Sequence, residues 1–186
     1  VEVRSVGPTL GENSLNKSIY AGAIGILLVF LFMLIIYRFP GFVADISLAI
    51  FLLIYLIIMA LLQVTLTLPG IAGVILAVGM AVDANVIIFE RIKEEMRNGR
   101  SKLAAVDAGF SNAFSSILDS NITTIIAGVV LYSLGSGTIK GFALTLIIGI
   151  CVSMFTAVFV TKRVMKLLIK TGKFENLKLY GVGGDK

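Results

Sequence analysis

Between Asp45 and Asp83 the chain runs for 37 residues, Ile46 to Val82, without one charged side chain. A helix that crosses the hydrocarbon core of a bilayer needs about 20 apolar residues. The run is too long for one crossing and long enough for two. Leu68-Pro69-Gly70 divides it, because proline has no backbone N–H to donate and glycine is a weak helix former. Three more uncharged runs have the same scale: Ile19–Tyr37 (19 residues), Ser120–Ile139 (20) and Gly141–Thr161 (21), the last two separated by the turn Gly135-Ser136-Gly137. Strands of a membrane barrel are about ten residues long and alternate apolar with polar, whereas these runs are twice that length and apolar all round. The expected fold class is an all-α membrane protein, a bundle of five transmembrane helices at about 18–38, 43–66, 70–90, 117–136 and 140–161.

Composition agrees. Hydrophobic residues make up 58% of the chain and charged ones 15%, with a mean hydropathy of +1.00. A soluble domain carries about a quarter charged residues, so a soluble enzyme and a disordered chain are both disfavoured. There is one cysteine, Cys151, and no histidine. A disulfide framework, the common zinc patterns and a histidine-based triad are thereby excluded; Ser-Lys hydrolytic pairs are not.

Basic residues set the expected orientation. One set of loops holds Arg4, Lys17 and Lys140. The other holds Arg38, then Arg91, Lys93, Arg97, Arg100 and Lys102, then seven in the tail from Lys162 to Lys186. The second side, with thirteen basic residues against three, is expected to be cytoplasmic, with the N-terminus outside. The net charge of +5 then reports topology and lipid contact, and no nucleic-acid partner is expected. Residues 1–17 read as the end of an extracytoplasmic segment. Val1–Val6 alternates like the end of a β-strand, which implies a longer protein upstream. Residues 91–112 read as an amphipathic cytoplasmic connector, with apolar residues at Ile92, Met96, Leu103, Val106 and Phe110, a break at Asn98-Gly99 and a cap at Ser101. It is expected as two short surface helices or as a solvated linker. Residues 171–186 are a cytoplasmic tail.

Polar groups at membrane depth carry most of the functional information, because a carboxylate near a helix centre costs a few kcal/mol to insert. Asp83 is the clear case, eight residues before Arg91 and so about 12 Å from the cytoplasmic end at 1.5 Å per residue. Burial shifts carboxylates toward the protonated form by up to about 3–5 pKa units, so a membrane carboxyl is able to load and release a proton near neutral pH. Matching depths on antiparallel helices place Asp83, Asn85, Asn121, Thr123, Thr124 and Ser153 in one polar cluster pointing into the bundle. For Thr123 and Ser153, simple helix–helix glue is an equal reading. Glu90 is expected to be an interfacial ion pair. Asp45 and Asp119 are expected near cytoplasmic helix ends, as caps or snorkelling groups favoured by the helix dipole. Gly73, Ala77, Ala81 and Ala84 follow the small-xxx-small pattern of close helix packing, with Gly79 beside them.

The stretch Gly79-Met80-Ala81-Val82-Asp83-Ala84-Asn85-Val86-Ile87-Ile88-Phe89-Glu90-Arg91-Ile92-Lys93-Glu94-Glu95 closely resembles the SecD family of bacterial protein-export subunits, within the resistance-nodulation-division superfamily. Ser5–Gly11, Asp119–Thr124 and Gly135–Ala143 resemble it too, so the likeness covers nearly the whole chain. The resemblance implies six transmembrane helices with a large extracytoplasmic domain after the first. This chain would be the last five helices, half of a bundle completed by SecF. It implies a location in the bacterial plasma membrane and help to the SecYEG channel, with preproteins engaged through the extracytoplasmic domain. It implies no cofactor beyond the coupling ion, a proton, or sodium in some members. It places Asp83 in the proton pathway, Asn121 and Thr124 in the neighbouring polar motif, and Asn85, Glu90, Asp119, Thr123 and Ser153 around them. Three other readings compete. An efflux pump of the same superfamily keeps the proton chemistry and changes the cargo. An intramembrane aspartyl protease would need Asp83 and Asp119 to share a site, but their depths disagree. A structural scaffold would need of Asp83 only a hydrogen-bond partner.

Overall fold

The computed structural model describes residues 8–171 and Tyr180, with side chains from Ser14 onward. The alternating stretch Val1–Val6 and nearly all of the expected tail lie outside the described residues. The elements are α1 (Pro8–Tyr37), α2 (Phe39–Leu61), α3 (Leu68–Arg97), α4 (Lys102–Leu134), α5 (Gly137–Phe155), a π-helical segment (Thr156–Thr161) and α6 (Lys162–Lys170). Among the described residues five helices are long and apolar enough to cross a membrane, the fifth being α5 with its π-helical and α6 continuation.

Every run follows the expected order, but several boundaries move. α1 starts at Pro8, well before the uncharged run. α2 starts at Phe39, because the chain reverses in a single residue: Arg38 has φ 51°, and Pro40 stands in the first turn of the new helix. The reversal requires glycine at position 41, where a Cβ would overlap the Met33 carbonyl. The connector is not a pair of separate short helices. α3 continues to Arg97 and α4 begins at Lys102, with Asn98 and Gly99 in the break and Ser101 at the N-cap position. Backbone hydrogen bonding is cheapest when a helix is extended rather than restarted, so both spans project beyond the apolar stretch as amphipathic ends.

α3 is central. It packs most extensively on α5, then on α4, with α1 and α2 on its other side. The α3–α5 seam uses the small residues noted above. Gly149 lies against the Ala77 Cβ, and a Cβ on Gly149 would find no room. Gly73 lies against Thr145 and Phe142. Tyr55, stacked on Phe51 at 5.5 Å, donates to the Thr145 carbonyl at 2.9 Å and ties α2 to the same seam. α1 sits at the edge and exposes Ile24, Leu27, Leu28, Leu31 and Ile35, the surface a helix offers to lipid.

At the end of the bundle where the basic residues cluster, ion pairs hold the projecting helices. Asp107 of α4 receives Lys166 and Lys162 of α6 at 2.6 and 3.0 Å. Glu95 pairs with Arg100 and accepts from Asn112, each at 2.8 Å. Lys93 pairs with Glu90 at 2.8 Å and lies over the Tyr37 ring. At the opposite end Thr67 caps α3, accepting from the Gly70 N–H, and donates to the Thr138 carbonyl.

Candidate functional site

Two helical stripes meet beside Asp83. On α3, Met80, Asp83, Ala84 and Ile87 recur at i, i+3, i+4 and i+7; on α4, Ile117, Ser120, Asn121 and Thr124 do the same. Residues at that spacing share one helix face, and these two faces form the walls of a groove of about 190 Å³. The sequence fixes which polar groups enter it. Asp83 and Asn85 are two residues apart, about 200° around a helix, so one enters the groove and the other points away.

Asp83, Asn121 and Thr124 are thus brought together. Asn121 is buried and its Nδ2 donates to the Ile117 carbonyl at 2.7 Å; Thr124 Oγ1 donates to the Ser120 carbonyl at 3.1 Å. Each side chain thus gives a donor to its own helix and lines the groove beside Asp83. Asp83 itself is exposed, not buried in the bundle interior as expected. Among the described residues its carboxylate has no hydrogen bond or ion pair. The groove is lined by α3 and α4 alone, and among the described residues no further helix closes it.

The rest of the expected cluster divides. Asn85 is buried on the opposite face of α3. Its Nδ2 donates to the Ala81 carbonyl at 3.1 Å, and its Oδ1 accepts from Thr161 Oγ1 at 2.9 Å. Ser153 is buried and donates to the Ile150 carbonyl, apart from the groove. Thr123 is exposed and donates to the Asp119 carbonyl; at 100° from Thr124 it cannot share its face. Asp119 is no cap: α4 begins 17 residues earlier, and Asp119 is exposed in mid-helix. Nor is Asp45 a cap. With α2 starting at Phe39 it falls in the second turn, and it is buried. Glu90 forms its ion pair with Lys93, while Arg91 pairs with Glu94. Glu90, Arg91, Glu94 and Arg97 line a wider groove with Val86 and Ile87. Ile87 belongs to both grooves, so the Asp83 groove adjoins a collar of charges at the basic end.

The π-helical segment was not expected. A turn of five-residue spacing is rare and occurs mostly as single turns near functional positions. Here Thr156 Oγ1 donates to the Val152 and Ser153 carbonyls, and Thr161 Oγ1 lies within hydrogen-bond distance of the Thr156 carbonyl. Among the described residues no group of three acidic or cysteine side chains is placed to hold a metal ion.

The groove suits ion handling: it holds one ionisable group, Asp83, beside the Asn121 amide and the Thr124 hydroxyl, with an open flank. Comparisons with known proteins identify the family. The family model described as protein export membrane protein SecD/SecF, C-terminal, matches residues 1–171. The protein translocase subunit SecD of Acidaminococcus fermentans is 56% identical over 181 residues, which is 97% of this chain and 43% of that protein. SecD of Synechocystis sp. is 56% identical over 169 residues, 91% of this chain and 36% of that protein. The chain therefore spans less than half the length of these relatives. The crystal structure of SecDF, a translocon-associated membrane protein from Thermus thermophilus, superposes with a TM-score of 0.88 at 38% identity, over 90% of this chain and 24% of that one. SecDF in its super-membrane-facing form gives 0.84 at 37%, over 90% and 23%.

Proposed function

Since the chain belongs to the SecD/SecF family of protein-export membrane proteins, we propose that it forms the membrane half of an accessory subunit that uses the proton gradient to assist preprotein movement through the SecYEG channel. The observation that carries this reading is Asp83: a carboxylate without a partner among the described residues, at membrane depth, in a groove lined also by Asn121 and Thr124 and with an open flank. The sister half, SecF, closes that flank. Protonation of Asp83 neutralises the one charge on the seam and weakens its hold on polar groups of the opposing half; release of the proton restores it. The two halves then alternate between two packings, and the parts of the protein beyond this chain convert that motion into a pull on the preprotein. Each proton that enters gains about 2.3 kcal/mol per 100 mV of membrane potential. With no histidine in the chain, the relay to and from Asp83 runs through hydroxyls, amides and water, with Glu90 at the adjoining collar. The basic end, with Arg38, the 91–102 stretch and α6, faces the cytoplasm, and the protein resides in the bacterial plasma membrane.

The test is preprotein translocation into vesicles that contain the full-length subunit, its partner and the channel, under an imposed gradient. Asp83→Asn keeps shape and hydrogen bonding but cannot exchange a proton, and it should abolish the gradient-dependent part. Asp83→Glu should retain some of it. A sodium gradient applied in place of the proton gradient should give no stimulation.

A further inference from the structure

Asp45 is the one charged residue of α2, and the mechanism above makes no use of it. It is 6% exposed, and both carboxyl oxygens are shut off from solvent with no hydrogen-bond partner. The other buried polar side chains of this layer, Ser47, Asn85, Thr156 and Thr161, all make hydrogen bonds.

Its depth follows from contacts at the basic end. The Tyr37 ring meets Phe89 with centroids 6.0 Å apart, which sets the start of α2 level with Phe89 of α3. Six residues into α2 is Asp45, and six residues back along α3 is Asp83. At 1.5 Å per residue both lie about 9 Å further into the bundle than Phe89. They stand on different sides of α3: Asp83 in the open groove, Asp45 on α2, which packs against α1, α3, α5 with its π-helical segment, and α6.

No cation on those elements compensates Asp45 among the described residues. On α3, Lys93 pairs with Glu90 and Arg91 with Glu94, and Arg97 is exposed. Asp83 lies in the groove, and Glu95 is held by Arg100 and Asn112. On α6, Lys162 and Lys166 are engaged by Asp107, and Arg163 and Lys170 are exposed. Lys140, at the start of α5, and Lys17 of α1 lie at the far end of the bundle, and Arg38 is exposed at the turn. The nearby phenols belong to Tyr37, whose ring lies under Lys93, Tyr55, which donates to Thr145, and Tyr180, packed edge-on against Phe39. An isolated ionised carboxylate in apolar surroundings takes up a proton instead of remaining charged. The dipole of α2 does not rescue the charge, because its effect fades within the first turn.

We propose that Asp45 is a second proton-binding carboxyl of the bundle, neutral in the packing seen here and ionised in another packing of the same helices. The element able to supply partners for the ionised form is the π-helical segment. It packs against α2, and its Thr156 and Thr161 hydroxyls, here donating to the Val152 and Ser153 carbonyls and to Asn85, turn to the ionised carboxylate in the other packing. The site stands whether or not Asp83 is the carrier; only its contribution to gradient-driven export rests on the proposed function.

The experiment is infrared titration of the full-length subunit with its partner in lipid vesicles. A protonated-carboxyl stretching band should be present at neutral pH, diminish as the pH is raised, vanish in Asp45→Asn and persist in Asp83→Asn. Persistence in Asp83→Asn separates this site from the reading of Asp83, whose own failure would not move the band. Should Asp45→Asn not assemble, wild-type protein treated with dicyclohexylcarbodiimide decides: this reagent modifies protonated carboxyls in apolar surroundings, and peptide mass spectrometry should find a pH-dependent adduct on Asp45. A spectrum unchanged by Asp45→Asn, a band that does not move with pH, or an Asp45 peptide that remains unmodified at every pH overturns the proposal.

Discussion

Replacing Thr161 by valine removes one hydroxyl from the junction of α3 and the π-helical segment and leaves the side-chain volume nearly unchanged. The hydroxyl donates to Asn85 Oδ1 at 2.9 Å, with the Thr156 carbonyl at 3.2 Å, and both residues are fully or almost fully buried. Without it, Asn85 keeps its own donation to the Ala81 carbonyl but loses the donor to its oxygen. An orphaned buried acceptor costs about 1–3 kcal/mol, whereas side-chain hydrogen bonds between membrane helices average about 0.6 kcal/mol and reach about 1.7. The first figure sets the upper range because Asn85 has no water to turn to; the second lowers it because the unfolded helices find partners within the membrane. The expected loss is about 1–2 kcal/mol, a factor of roughly 5–30 in the folded-to-unfolded ratio. Thr123→Val is the matched control: its hydroxyl is exposed and serves only its own helix, so the change should stay within about 0.5 kcal/mol. Equilibrium unfolding in bicelles measures both. Asn85→Ala combined with Thr161→Val should show a coupling of about 1 kcal/mol. Equal stability of the Thr161 and Thr123 variants would refute the assignment of this bond as the tie between α3 and the π-helical segment.

Other outcomes follow from the same contacts. Gly149→Val sets a side chain against Ala77 in the α3–α5 seam, where overpacking costs about 1–3 kcal/mol; Ala77→Gly should recover part of the loss in the same unfolding assay. In sealed cells with Cys151 replaced, a cysteine at Ser136 should react with an impermeant maleimide, and one at Ser101 should react only after lysis; labelling of Ser101 from outside would reverse the orientation. Glu90→Gln and Asp119→Asn should each reduce gradient-driven export far less than Asp83→Asn, because both groups are exposed and replaceable by water; a loss equal to that of Asp83→Asn would move the ion path to them.

Much of this fold is legible in the chain because bilayer physics leaves few choices. Uncharged runs must be helices, Leu68-Pro69-Gly70 and Asn98-Gly99 must interrupt them, and depth counting on antiparallel spans pairs Asp83 with Asn121 and Thr124. What was not legible depends on angle and on exact starts. Depth alone groups Asp83 with Asn85, but two residues on a helix face opposite sides, and Asn85 turns inward to Thr161. Asp45 reads as a cap only if α2 begins near Val43. The one-residue reversal at Arg38 starts it at Phe39 and carries the carboxyl into the packed interior. Thr156 and Thr161 look like ordinary helix-packing residues, and nothing in their spacing announces a widened turn. The exposure of Asp83 has another origin on the proposed function: a partner half would cover the open flank of its groove.

The most direct measurement is proton entry itself. Vesicles loaded with a pH-sensitive dye, carrying the full-length subunit with its partner and the channel, report proton influx while preprotein is translocated under an imposed gradient. Wild type should admit protons only while preprotein moves, and Asp83→Asn, present at equal amount in the membrane, should admit none above vesicles that lack the subunit. Preprotein-dependent influx of undiminished size in Asp83→Asn would contradict a proton path through Asp83.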